Sequence, residues 1–522
     1  VTELHLPWLE IGVVVPLLGS LWVSRFRDSS LARLHCLGFS LLTLAITLGT
    51  WFDFMAMRAS EAQDRFHLST LIFNREILQI DEISAPLLPL TAMLFALTAI
   101  ATVRAKARRF SFSWTLLSEA ITLATLSCKE PWLIITLLGL ATIPPFLEIR
   151  ARGRSTTMYV AHMGLFIALL ALGWSIVQAE GGDGKIHTMW AVLPLLLAVF
   201  VRSGIAPFHG WIPDLFEKAT FGTSLLYVTP LIGVYTAVRL VLPIAPAEVM
   251  RGMGLISLFT AVYAGGMALV QTEGRRLFCY LLLSHAAVIL VGLEMVTVQG
   301  LTGALCVWIS VSLSLTGLGL TMRAVEARRG RLSLNAYHGL YEHMPMLAIC
   351  FLLTGLASVG FPGTMGYVGA ELLVDGAVET YPLIGIAVVI AAALNGIAVV
   401  HAYFVLFTGT RHVSSISLRM GRREKVALLT IVVLLLAGGI VPQLNIASRH
   451  HAAEELLRQR SPTLQAYDRG QASGLWWHSP QAPADGQGEH VERPTATHHS
   501  AGATMARIPA RLTPRPAAVE RD

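Results

Sequence analysis

The run Arg202-Ser203-Gly204-Ile205-Ala206-Pro207-Phe208-His209-Gly210-Trp211-Ile212-Pro213-Asp214 interrupts an apolar stretch that otherwise reads as helix. Gly204, Pro207 and Pro213 are expected to break that helix, with an arginine, a histidine and an aspartate beside the break. On either side the chain is almost wholly apolar, through Met189 to Val201 and again from Ser224 to Val241. A break inside a membrane frees backbone polar groups that lipid cannot satisfy, so it persists only where it faces protein or a wet cavity. Titratable residues at such a point mark an ion or substrate path.

The rest of the composition fits a membrane setting. Of 522 residues, 54% are hydrophobic and only 14% charged, against about 25% charged in a soluble domain. The formal net charge of +6 is spread over short loops and forms no basic face with interleaved aromatics, so no nucleic-acid partner is expected. The five cysteines, Cys36, Cys128, Cys279, Cys306 and Cys350, lie in or beside apolar segments without a CxxC pair, which excludes a disulfide framework or a cysteine-rich metal knuckle. The stretch Leu6 to Val23 lacks the basic start and small-residue cleavage site of a signal peptide.

A spanning helix needs about 20 apolar residues, and on that measure the chain holds roughly fourteen segments. The expected class is all-α: a polytopic membrane protein in which segments seven and twelve are broken. Lys and Arg concentrate after odd-numbered segments, as in Arg25/Arg27/Arg33, Arg104/Lys106/Arg108/Arg109, Arg150/Arg152/Arg154, Arg275/Arg276, Arg323/Arg328/Arg329/Arg331 and Arg411/Arg419/Arg422/Arg423. Most loops after even-numbered segments are poor in them. The positive-inside rule then places both termini on the non-cytoplasmic side of a cell (inner) membrane.

The second break is expected at Gly360-Phe361-Pro362-Gly363, shortly before Glu371. Two broken helices five segments apart suggest two inverted five-helix repeats. The expected organisation is residues 1–112 for segments one to three, 113–242 and 253–407 for the repeats, and 425–441 for the last span. From 461 to 522 the chain turns rich in Pro, Ala, Gly, His and Arg and reads as a disordered tail. His478, His490, His498 and His499 offer at most weak metal binding, and a solvated tail is the simpler reading.

These motifs resemble those of the antiporter-like membrane subunits of respiratory complex I, the M-type chains of NADH:quinone oxidoreductase in particular. Pro207 to Asp214 is similar to their P-x-H-x-W-L-P-D motif. Gln271 to His285 is similar to Q-x-D-x-K-R-L-x-A-Y-S-S-x-S-H, and Gly360 to Glu371 to G-x-P-G-T-x-G-F-x-G-E. The resemblance covers about Ser84 to Phe407, with the motifs in family order. Related subunits serve Mrp-type antiporters, membrane hydrogenases and inorganic-carbon uptake complexes. The resemblance implies a central polar axis along which titratable groups on successive helices relay protons.

The chain departs from that pattern. The helix-five glutamate position falls on Gly139, the helix-seven lysine on Arg202, the helix-eight lysine on about Leu231 and the helix-eleven histidine on Val311. His285 is retained, and the helix-twelve acid is displaced from Ala370 to Glu371. Arginine stays protonated in proteins and cannot release a proton. Arg202 is therefore expected to be a fixed cation, with Glu119 its expected partner. The candidate polar axis is Glu119, Arg202, His209, His285 and Glu371. Pro207, Trp211, Pro213, Asp214, Pro362 and Gly363 shape the breaks. His209 and Trp211 read equally as structural ties across the break, and His285 as a core histidine.

The resemblance implies a non-redox subunit of a proton-translocating complex, partnered by other membrane subunits, the bilayer and protons or other small cations. No cofactor is expected in this chain. NADH, flavin, iron–sulfur clusters and quinone would belong to partner subunits. Two rival readings stand beside it: an ion-coupling partner of an inorganic-carbon uptake complex, and a non-conducting scaffold.

Overall fold

A computed structural model describes residues 2–65, 76–102, 110–182, 184–410 and 419–474, with backbone alone from 461 onward. The basic loop Arg104 to Arg109 and the stretch 475–522 with its histidines lie outside the described residues.

Helices follow one another along the chain. The first are α1 Trp8–Val23, α2 Ser29–Met57, α3 Leu87–Ala101, α4 Phe112–Leu126, α5 Pro131–Ala141, α6 Ile143–Ala151 and α7 Thr157–Ala179. Then come α8 Met189–Ser203, α9 Trp211–Lys218, α10 Phe221–Val228 and α11 Ile232–Thr236, which continues as a π-helical turn over Ala237–Val241. The second half holds α12 Ala247–Leu269, α13 Gly274–Glu294, α14 Val298–Arg329, α15 Pro345–Ser358, α16 Gly366–Thr380, α17 Pro382–Phe407, α18 Arg422–Ile440 and α19 Gln443–Gly474. Polar residues start several of them: Asp28 accepts from the Ser30 amide, Thr220 from the Thr223 amide and Thr297 from the Gly300 amide.

Among the described residues eight helical stretches are long and apolar enough to cross a membrane. A ninth is the pair α18 and α19, bent by 75°, and five further apolar helices are shorter. α14 is wholly buried and the stretch Phe221–Val241 nearly so, whereas α2, α7 and α17 bury well under half of their length. Their outward side chains are apolar, among them Phe52, Leu172 and Leu383. A helix with lipid on one side and helices on the other shows that distribution. The chain is a multi-pass membrane protein.

The connecting loops gather in two groups. At one end a small sheet, β1 Thr2–Leu4, β2 Glu61–Asp64 and β3 Gln79–Asp81, pairs β1 with β2 in parallel and β2 with β3 antiparallel. At this end Asp81 takes a two-pronged ion pair from Arg239 (2.6 and 2.8 Å), and Lys129 lies 2.6 Å from Glu61. The His187 amide donates to the Ile244 carbonyl here, 2.9 Å away. At the other end Arg275 pairs with Glu326, Arg328 with Glu424, and the Thr220 amide donates to Glu148.

α19 departs from the expected tail. The helix runs past Ser461 to Gly474. It turns back across the first end, where Arg449 donates to the carbonyls of Glu82 and Ile83 and Arg460 to those of Leu242 and Ala245. Those loop carbonyls are what hold it. Pro/Ala/Gly/His/Arg composition around Ser461 carries no trace of them.

Candidate functional site: a buried cation between two helix breaks

The first break separates α8 from α9. Gly204 ends α8 in the left-handed region, with φ of 71°. A Cβ there would come 2.4 Å from Leu283 and 2.6 Å from Ile212, so only glycine fits. The freed backbone groups find partners: the Trp211 indole donates to the Val201 carbonyl (2.8 Å), and the Ala206 amide to Thr260 Oγ1 (3.2 Å). Trp211 is thus a tie across the break. Pro213 does not break anything; it lies in the first turn of α9, where a missing N–H leaves no hydrogen bond unmade. Asp214 is helical too and pairs with Lys218 at 2.7 Å. His209 is half-buried between Tyr263 and Tyr280, its Nδ1 without a hydrogen-bond partner.

A break the sequence reading missed falls between α10 and α11, at Thr229–Leu231. Pro230 removes a donor there, and Leu231 is held at φ of 52°. The Trp308 indole takes the Pro230 carbonyl at 3.2 Å. The Thr-Pro pair inside an apolar run was the available signal.

Arg202 bridges these two breaks. It is 6% exposed. Its Nη2 donates to the Tyr227 carbonyl at 2.9 Å, and its guanidinium carbon stands 4.1 Å from the Tyr227 ring centre and 5.6 Å from that of Trp211. No described carboxylate pairs with it, so the expected Glu119 partnership is absent. Glu119 is fully buried on α4 but turns to α2, accepting both contacts from Ser40 Oγ (3.0 and 3.2 Å). What replaces the acid is the end of α10. The last carbonyls of a helix carry partial negative charge, and two aromatic faces add cation–π attraction.

Two small cavities flank the guanidinium. One, of about 30 Å³, is walled by Ser118, Thr122, Pro144, Pro145, Thr223 and Tyr227. The other, of about 10 Å³, lies among Ser203, Leu231, Gly233, Leu282 and Ala286. A water needs at least about 10–15 Å³, so each holds a water or two at most. Gly139 lines neither. Beyond the second cavity, His285 on α13 is 4% exposed with Nε2 unpartnered. Its neighbour Ser284 donates to the Ala261 carbonyl and accepts from Asn395 on α17, each at 2.8 Å. Val311 is buried on α14 among Ser310, Ser312 and Ser314.

The third break, between α15 and α16, lies where it was expected. Gly360 and Gly363 have φ of 81° and 84°, and the Met365 amide donates to the Leu435 carbonyl at 2.7 Å. Pro362 and Gly363 are exposed. Glu371 is a correction: it is exposed and takes no part in the axis. The inner face of α16 is Gly366, Gly369, Leu373, Gly376 and Ala377. At about 100° per residue, a shift from Ala370 to Glu371 swings the acid off that face. Asp375 and Glu379, one and two turns on, are exposed with it. Among the described residues no three His, Cys, Asp or Glu side chains gather as a metal site.

Two interrupted helices of this multi-pass membrane protein thus meet at one buried cation. Residues 155–395 match the family described as NADH:quinone oxidoreductase/Mrp antiporter, TM. That matched segment holds all three breaks. It is 24% identical over 508 residues to NAD(P)H-quinone oxidoreductase chain 4 of Synechococcus sp. (strain WH7803), covering 89% of this chain and 92% of that one. Its fold is similar to a chain of respiratory complex I from Thermus thermophilus, with a TM-score of 0.74 at 20% identity over 86% of this chain and 99% of the other. It is similar also to a chain of the Mrp complex from Dietzia sp., with a TM-score of 0.78 at 18% identity over 86% and 97%.

Proposed function

We propose that the chain is an antiporter-like membrane subunit of a complex-I-type quinone oxidoreductase, coupling electron transport in partner subunits to proton translocation, with the lysine relay partly lost. The observation that carries this reading is Arg202. It stands where the relay position falls, permanently charged, satisfied by a helix end and two rings, between two water-sized cavities. Such a cation repels protons and fixes the local field, but it does not hand a proton on. Conduction then begins at His285, the titratable group beyond the second cavity.

The reading includes fourteen spans in an inner membrane, two inverted five-helix repeats and both termini on the non-cytoplasmic side. Supporting it, loops after odd and even segments collect at opposite ends of the bundle. Reporter fusions after Arg109 and after Gly182 are expected to read cytoplasm and exterior; the reverse pair of results overturns the orientation.

The function is tested by proton flux in vesicles containing the whole complex. His285→Ala is expected to lower the protons moved per turnover, and Glu371→Gln, on the exposed face of α16, to leave it unchanged. Equal flux in His285→Ala and the unaltered complex rejects conduction in favour of the scaffold role.

A further inference from the structure

Glu371, Asp375 and Glu379 follow one another at four-residue steps on α16, so they form one stripe with about one acid per turn. All three are exposed, and among the described residues none gives them an ion pair or a hydrogen bond. Tyr367, one turn before Glu371, is exposed on the same side. The helix cannot turn this stripe inward, because its other face meets α14 backbone to backbone. A Cβ on Gly369 would stand 2.7 Å from the Cys306 Cβ, and one on Gly376 2.9 Å from the Gly300 backbone. From the α14 side, a Cβ on Gly303 would stand 2.5 Å from the Leu373 amide nitrogen. Any rotation of α16 drives a side chain into space that holds only glycine.

The stripe also runs deep. α16 is the second half of a broken span and packs between α14 and α17, both long enough to cross a membrane. Tyr381 joins it to α17 and takes a hydrogen bond from Arg251, as an aromatic at the membrane–water interface does. Along the helix from Tyr381, Glu379 is about 3 Å away, Asp375 about 9 Å and Glu371 about 15 Å, and a hydrocarbon core is roughly 30 Å thick. Lipid is the wrong neighbour for such a face. Where α17 turns outward it shows Leu383, Ile386, Val389, Ile390 and Ile397, with no charge among them. Acids at membrane depth pair with other groups or face protein and water. The break that precedes α16 is open on the outside too. Phe361, Pro362 and Gly363 are exposed, and a groove of about 770 Å³ leads from it past Ala393, Gly396 and Val400 of α17. Irregular backbone at this depth is tolerated where protein or a wet cavity covers it, and an outer face forms no cavity without a second chain.

We infer that the outward face of α16, formed by Tyr367, Glu371, Asp375 and Glu379, is a membrane-embedded docking surface for a transmembrane helix of a partner subunit that carries Lys or Arg at four-residue spacing. Charge complementarity sets the chemistry of the partner, since three carboxylates without a described cation leave the face strongly negative. Helical spacing sets its form. Packed helices match ridges of residues four apart, so cations one turn apart each meet one acid. Arginine fits best, because its planar fork takes a carboxylate with two hydrogen bonds.

The inference rests on the reading of the chain as one subunit of a membrane complex, and the test separates the two. The solubilised complex is purified through a tag on this chain and diluted until partner subunits dissociate. Four forms are compared: the unaltered chain, the neutral triple variant Glu371→Gln, Asp375→Asn and Glu379→Gln, the reversed pair Glu371→Lys and Asp375→Lys, and Ile386→Ala on the apolar face of α17. Loss of a desolvated charge pair weakens binding by at least about tenfold. Dissociation is therefore expected at a concentration at least about tenfold higher in the neutral variant and higher again in the reversed one, with no change in Ile386→Ala. The neutral variant keeps the test open if the reversed one fails to insert. It also separates lipid from protein by sign, because removing charges from a lipid face leaves assembly unchanged or improved. A single Glu371→Gln leaves two acids in place, and the readout here is dissociation rather than protons per turnover of the intact complex. In a second measurement p-benzoylphenylalanine replaces Val378, exposed on the same side of α16 between Asp375 and Glu379. Light is expected to join it to a transmembrane segment of a partner subunit that holds Lys or Arg at four-residue spacing, read by mass spectrometry of the joined peptides. Joining to a segment without basic residues, to a second copy of this chain, to residues 475–522 of the same chain or to lipid alone overturns the inference. Unchanged dissociation in both charge variants overturns it too and leaves the subunit reading standing. An unaltered chain that purifies without partner subunits rejects both.

Discussion

At the scale of single residues, Arg202 shows how a buried charge is stabilised without a counter-ion. The Tyr227 carbonyl and ring face it together, so removing either side of that contact removes the same interaction. A double-mutant cycle between Arg202→Ala and Tyr227→Leu is expected to show coupling of about 0.5–2 kcal/mol, the range of a desolvated cation–π contact. The cycle between Arg202→Ala and Glu119→Gln is expected to be additive within about 0.5 kcal/mol, as for separate sites. Thermal unfolding of the purified complex reads both. Strong coupling of Arg202 to Glu119 would show that the two charges meet after all. Arg202→Lys is expected to lower stability as well, since an ammonium cannot lie flat between two rings and reach the carbonyl together.

At the scale of elements, the small sheet is locked to the end of the π-helical turn by charge. Burial would raise the Asp81 carboxyl, but the charge and hydrogen bonds of Arg239, then Lys129 and the Ser84 amide, outweigh it. Asp81 is held well below the ordinary carboxylate range. The sign follows from linkage: a depressed acid contributes stability in full above its unfolded pKa of about 3.9 and loses it as pH falls from there toward the folded value. The melting temperature is therefore expected to drop as pH falls below about 4, and Asp81→Asn to flatten that dependence. At neutral pH the same substitution leaves Arg239 buried and unpaired, at a cost of about 3–5 kcal/mol. A melting curve of Asp81→Asn with the unaltered protein's acid dependence would assign that loss to other carboxylates. On α16 the element decides otherwise: its inner face is small residues, so Glu371, Asp375 and Glu379 all face outward.

At the scale of the whole molecule, α19 ties distant parts of one end together. Its Arg449 and Arg460 hold loop carbonyls before α3 and after the π-helical turn, far apart in sequence. Both guanidinium groups are buried and donate to backbone oxygens, Arg449 also to Ser448 Oγ. Removing one leaves buried carbonyls unsatisfied, so Arg460→Met is expected to cost about 1–3 kcal/mol. Ending the chain at Val441 is expected to lower the melting temperature of the complex further than either single change. Unchanged melting after truncation would mean that the helix rests on the bundle without supporting it.

Composition and periodicity by themselves determined that this chain lies in a membrane, because some 500 residues with so few charges leave long apolar runs that only lipid or a buried core accommodates. Gly204 and the Gly360–Gly363 run likewise announced their breaks, since glycine and proline act on the backbone locally. Pro230 was equally legible and went unread. What the sequence left open was direction. Whether an acid one position along faces the bundle or the outside depends on which face of α16 packs, and that is set by helices far away in the chain. The partner of Arg202 could not be found by searching for a carboxylate, because it is a backbone carbonyl and an aromatic face brought up by a second broken helix. Local backbone chemistry is written residue by residue, whereas burial, pairing and the course of a buried path exist only once the helices have packed.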